Sequence, residues 1–167
     1  MLIPLRFLWF ALLIVGGSAH AQSSPPVLGG PAQNELPIHE VARLGNRASM
    51  EKILRETPSL RETPTDYGST PLHLAAMNAD AGPLQALLAA KANLHARDKE
   101  GSTPLHMAAY TNRLRNTQLL LEAGADPTLK NNIGRDVTSM ARKVRADEVA
   151  GVISLWMLKG CKPGKPC

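Results

Sequence analysis

Aromatic side chains are the scarcest component of this 167-residue chain, with two Trp, two Tyr and two Phe. A β-sandwich draws heavily on β-branched and aromatic residues, so this shortage argues against one. The dominance of Leu and Ala suits short, closely packed helices instead. Cysteine is nearly missing too: Cys161 and Cys167 are the only two. The signatures of hydrolytic and phosphate chemistry are absent, with no Gly-x-Ser-x-Gly, no His-Glu-x-x-His and no phosphate-binding Gly loop. The carboxylates are scattered and form no obvious spaced pair. No catalytic residue, metal site or cofactor is therefore expected.

A charge excess over the body is also lacking. Residues 22–141 carry twelve Lys/Arg and twelve Asp/Glu. The formal charge of +5 comes from Arg6 and from the last segment, where Arg142, Lys143, Arg145, Lys159, Lys162 and Lys165 oppose Asp147 and Glu148. A nucleic-acid binder spreads basic residues over its binding face. This body does not, so no nucleic-acid partner is expected.

The two ends speak for an oxidising compartment. Phe7 to Gly17 is apolar, follows Arg6, and leads to Ala19-His20-Ala21, a small-residue pattern that a signal peptidase accepts. A membrane span needs ~20 residues, so the run is short for one. Residues 1–21 are expected to be a cleaved signal, with an uncleaved anchor as the alternative, and 22–34 a flexible leader rich in Pro, Gly and Ser. At the other end, Pro163-Gly164 favours a tight turn between the cysteines. A Cys161–Cys167 disulfide closing a loop in the 159–167 tail is expected, and a two-Cys metal or redox site is the alternative. Export follows, to a bacterial periplasm or to the secreted space.

What the chain has in abundance is self-similarity. Gly68-Ser69-Thr70-Pro71-Leu72-His73-Leu74-Ala75-Ala76 recurs 33 residues later as Gly101-Ser102-Thr103-Pro104-Leu105-His106-Met107-Ala108-Ala109. Weaker copies lie at Leu36-Pro37-Ile38-His39-Glu40-Val41-Ala42 and at Asp136-Val137-Thr138-Ser139-Met140-Ala141. Thr70 and Thr103 suit helix N-caps. Pro71 and Pro104 suit the first helical position, where a missing N–H costs nothing. Leu84, Leu87 and Leu88, then Leu120 and Leu121, mark a second helix in each copy. Gly124-Ala125-Asp126-Pro127 ends one of them. Lys91 stands where Gly124 does, so that earlier stop is weaker or Lys91 takes a strained φ. Between the helices Gly45 fits a left-handed turn, Asn112 tolerates one, and Ala79 does not.

This sequence resembles the ankyrin repeat family, whose motif includes Gly-x-Thr-Pro-Leu-His-x-Ala-Ala. The resemblance implies an all-α solenoid of helix-turn-helix units joined by β-hairpin-like loops. Four repeats follow, 35–66, 67–99, 100–132 and 133–158, the outer two being divergent caps. It also implies that His73, His106 and His39 are structural hydrogen-bonding groups. Thr70, Pro71, Thr103, Pro104 and Gly124 join them as framework. Repeats stand ~10 Å apart, too far for such rings to share a zinc ion with ligands at ~2 Å.

By position in the family, loop tips and exposed inner-helix residues line a concave binding face. Here these are Tyr67, Met77, Asn78, Lys99, Glu100, Tyr110, Thr111, Arg113 and Asn132. Tyr and Arg are favoured at interface hot spots. The expected function is a monomeric, non-catalytic scaffold that holds a protein partner, with no stable membrane insertion after signal cleavage. The alternatives are an immunity protein or inhibitor of a toxic enzyme in the same compartment, and a hydrolase or redox factor using the two cysteines.

Overall fold

The computed structural model describes residues 35–161. The expected signal, the leader and Cys167 lie outside the described residues, and with Cys167 lies the expected disulfide loop. Regular structure among the described residues is all helical. The elements are α1 (Pro37–Leu44), α2 (Arg47–Glu56), a 3₁₀ turn (Pro58–Glu62), α3 (Pro71–Met77), α4 (Gly82–Ala89), α5 (Pro104–Tyr110), α6 (Leu114–Ala123), α7 (Val137–Lys143) and α8 (Asp147–Leu158).

The helices form two rows. In the inner row, α1, α3, α5 and α7 pack each on the next. In the outer row, α2, α4, α6 and α8 do the same. Small residues let the inner row close up: Ala42, Ala75, Ala76, Ala108, Ala109 and Ala141 are fully buried. Larger side chains fill the space between rows, among them Ile38, Met50, Leu72, Leu84, Leu105, Leu121 and Ile153, all with no exposed surface. Each such burial contributes about 1.5–3 kcal/mol. Helices of seven to twelve residues are marginal alone, so this packing is what holds them.

Local chemistry starts each inner helix. Thr70 and Thr103 are extended N-caps before Pro. The backbone N–H of Thr70 donates to His73 Nδ1 at 3.1 Å, and that of Thr103 to His106 Nδ1 at 3.2 Å. In the first repeat Leu36 N–H meets His39 Nδ1 at 3.0 Å. The fourth repeat lacks the histidine, and Asp136 caps α7 by accepting from Ser139 N–H at 2.7 Å.

The turns depart from expectation in two places. Gly45 is extended, φ −82° and ψ −171°, not left-handed. What excludes a side chain there is closeness: a Cβ would lie 2.6 Å from Val41 O. Ala79 escapes the left-handed region because α3 ends on an extended Asn78, and Asp80 Oδ1 then accepts from Gly82 N–H at 2.8 Å to open α4. Asn112 and Arg145 do turn left-handed, at φ 55° and 58°. Gly124 stops α6 at φ 109°. Lys91, at the matching place after α4, adopts φ 63°. The strain anticipated from its side chain is therefore present.

The inter-repeat loops are hairpin-like without ladder strands. Thr65 N–H donates to Ser69 O, Asp98 N–H to Ser102 O, and Asn131 N–H to Arg135 O, at 2.9–3.0 Å. Successive loops are joined as well: Lys99 N–H donates to Tyr67 O at 3.0 Å and Asn132 N–H to Glu100 O at 2.9 Å.

Candidate functional site

The 33-residue step sets the inner face. It aligns Tyr67, Glu100 and Ile133 at the loop tips. It aligns Leu74, Met107 and Met140, and then Met77, Tyr110 and Lys143, along the inner helices. Side chains from these columns frame a cleft of about 320 Å³ against α5 and α7. Its apolar lining is Met77, Met107, Tyr110, Ile133 and Met140; its polar lining is Glu100, Ser102, His106, Asn131, Arg135 and Lys143.

Of the nine residues expected on the binding face, Met77, Glu100 and Tyr110 line this cleft. Tyr67 and Tyr110 are 71% and 51% exposed. Lys99 and Asn132 are exposed loop-tip residues, joined by Asn132 Nδ2 donating to Lys99 O at 3.0 Å. Thr111 and Arg113 are half-buried. Their side chains serve the framework: Thr111 Oγ1 donates to Met107 O, and Arg113 Nε to Met77 O one repeat back, at 2.8 and 2.9 Å.

Asn78 does not belong on the face. It is buried, and its Nδ2 donates to Ala42 O and Gly45 O, both at 3.1 Å. It thereby satisfies carbonyls that the end of α1 leaves open. Asn116 does the same for α3, reaching Ala75 O, Ala76 O and Asn78 O. Sequence reasoning missed Met107, Ile133, Met140, Arg135 and Lys143. A signal was available for two of them, since Ile133 and Lys143 stand one 33-residue step beyond Glu100 and Tyr110. Met107 and Met140 fall in the column of Leu74 and Arg135 in that of Ser102, positions not expected on the face.

His39, His73 and His106 are bound on both ring nitrogens. Nδ1 faces a backbone N–H, which can only donate, so it is an acceptor; Nε2 then carries the proton. His39 Nε2–H donates to Thr63 O at 2.8 Å, His73 to Ser102 O at 3.0 Å and His106 to Arg135 O at 3.2 Å. Burial lowers the pKa of His73 and of His106 below 6.5, because the charged ring would lose its water. A ring so engaged is neutral and occupied, and has no nitrogen left for a metal or a substrate proton.

The charges divide unevenly. Every ion pair among the described residues lies in 35–62: Arg43–Glu35, Arg47–Glu51, Lys52–Glu56 and Arg61–Glu62. In later repeats the aspartates serve the backbone. Asp98 accepts from Glu100 N–H and Ser102 N–H. Asp126 accepts from Thr128 and Asp136 from Ser139, and these bonds lower both carboxyl pKa values. Among the described residues Arg135 and Lys143, on the cleft, enter no ion pair. No helix of the described residues is long and apolar enough to cross a membrane. A family model described as ankyrin repeats, in three copies, matches residues 38–131.

Proposed function

The chain belongs to the ankyrin repeat family, and from that premise we propose that it is a non-catalytic scaffold holding a protein partner on its concave inner face. Ankyrin repeats generally mediate protein–protein interaction. The observation that carries the proposal is the cleft between α5 and α7. Five apolar side chains line it, and Ile133 and Tyr110 are 68% and 51% exposed. Water-exposed apolar side chains gathered in a recess are what a partner's anchor residues bury. Of the five, Ile133 and Tyr110 present the most surface to a partner, while Met107 and Met140 reach back to the core.

The signal-like segment at 1–21 supports a periplasmic setting. The test is a pull-down from periplasmic extract with the intact chain and with Tyr67→Ala plus Tyr110→Ala. One dominant partner, reduced at least tenfold by the double substitution, is the expected result. An unchanged yield would overturn the face. If the partner is an enzyme that loses activity in the complex, the scaffold acts as an inhibitor.

A further inference from the structure

Three observations converge on the chemistry of the partner. The first is where the ion pairs stop. Between described residues none is seen after Glu62, Asp66 set aside, although Lys91, Arg97, Lys99, Arg113, Arg115, Lys130 and five further Lys/Arg follow up to residue 159, alongside eight later Asp/Glu besides Asp66. Four of those carboxylates, on Asp80, Asp98, Asp126 and Asp136, accept backbone N–H bonds in their own loops.

The second is the cleft itself. Arg135 and Lys143 stand on its rim beside Met107, Ile133 and Met140, and Glu100 is the one acidic lining residue. Arg142 and Arg145, next to Lys143 in the sequence, are also exposed. The third is the cleft's size. About 320 Å³ admits one large side chain rather than a folded surface. Methionine walls adapt to such a side chain without demanding one shape.

We propose that the cleft takes an acidic segment of the partner protein, anchored by one large apolar side chain and flanked by Asp or Glu that face Arg135 and Lys143. This deepens the scaffold reading and rests on it. Opposite charge at the rim steers the encounter and sets orientation, while the buried anchor supplies residence time.

The test is selection of phage-displayed random dodecapeptides on the intact chain. The expected enrichment is a large apolar residue with Asp or Glu within about three positions, in line with strand spacing. Arg135→Glu plus Lys143→Glu alters side chains only at the rim, leaving the Arg135 carbonyl to His106. It should weaken the enriched peptides at least tenfold and enrich Lys or Arg flanks in their place. Met107→Ala should weaken both sets, with circular dichroism confirming that each variant folds.

Peptides that need Tyr67 and Tyr110 but ignore the charge reversal would overturn the acidic partner and leave the scaffold. Absence of enrichment, or enriched peptides indifferent to every inner-face substitution, would overturn both. If a twelve-base oligonucleotide or phosphatidylglycerol vesicles displace the peptides at equal charge concentration, general attraction of polyanions explains the surface and the proposal fails.

Discussion

At the amino-terminal end of the stack, Arg43, Arg47, Lys52 and Arg61 each meet a carboxylate. At the other end, Arg142, Lys143 and Arg145 meet none among the described residues, and α8 leaves Leu155 and Leu158 50% and 84% exposed. Both end repeats must shield an apolar interior from water. The first does so with side chains whose charges are locally cancelled. The last packs Val149 and Ile153 inward with no exposed surface, yet its outward cations have no ion-pair partner among the described residues. Exposed leucines occur at both ends, Leu44 being 76% exposed in the first repeat. Exposed ion pairs contribute little to stability, about 0–1 kcal/mol each. The contrast therefore bears less on how firmly the ends are held than on which surface is left with unmet chemistry.

Matched core truncations give the largest expected effect. Ile38→Ala and Ile153→Ala each empty a fully buried site in an end repeat, and each should cost about 2–5 kcal/mol in urea unfolding. If Ile153→Ala costs less than about 1 kcal/mol, the last repeat frays independently and the two ends differ in firmness after all.

Acidification should separate the repeats next. His73 and His106 link the second and third repeats forward, to Ser102 and Arg135, whereas His39 bonds Thr63 within the first and Ser139 stands at that place in the fourth. His73 and His106 are held neutral in the fold by burial, below their ordinary 6.5. Unfolding frees them to bind protons. Stability is then complete above pH 6.5 and is lost as pH falls below it. Hydrogen exchange at pH 7.5 and 5.5 should show protection falling in α3 and α5 more than in α7. His106→Ala should cost about 1–3 kcal/mol at neutral pH by leaving Thr103 N–H and Arg135 O without their partner, and should flatten the pH dependence.

The two outer-helix stops allow a reciprocal exchange of smaller size. Lys91→Gly should raise stability by up to about 1 kcal/mol, and Gly124→Ala should lower it by a similar amount. Equal melting temperatures for all three proteins would contradict the assignment of strain to Lys91. Smallest of all, Arg47→Ala and Lys52→Ala, at exposed i,i+4 pairs, should each change stability by less than about 0.5 kcal/mol, less still in 1 M salt. A larger loss would mean that the amino-terminal pairing is structural rather than a finish to the surface.

Much of this architecture was legible because it repeats. The Thr-Pro-Leu-His segments locate α3 and α5, the 33-residue step reaches α7, and the 34-residue step reaches α1. The strained Lys91 was visible as a missing glycine. What escaped depended on contacts across repeats. Asn78 reads as an exposed polar residue at a helix end, and only the position of α1, 33 to 36 residues earlier, reveals that it satisfies open carbonyls. Gly45 reads as a turn glycine, although it is needed for the nearness of Val41. The cleft was half legible: its tyrosine and one methionine came from position, whereas Met107 and Met140 sat in a framework column occupied in the second repeat by buried Leu74.

The bonds between successive loop tips run from backbone to backbone, Lys99 to Tyr67 and Asn132 to Glu100. They ask nothing of side-chain identity and recur at one fixed step. A further copy of residues 67–99 spliced in at residue 100 would present the same donors and acceptors at both new junctions. The inner face can thus be lengthened one unit at a time without redesigning its seams, which makes the reach of the groove, as distinct from its chemistry, a matter of copy number.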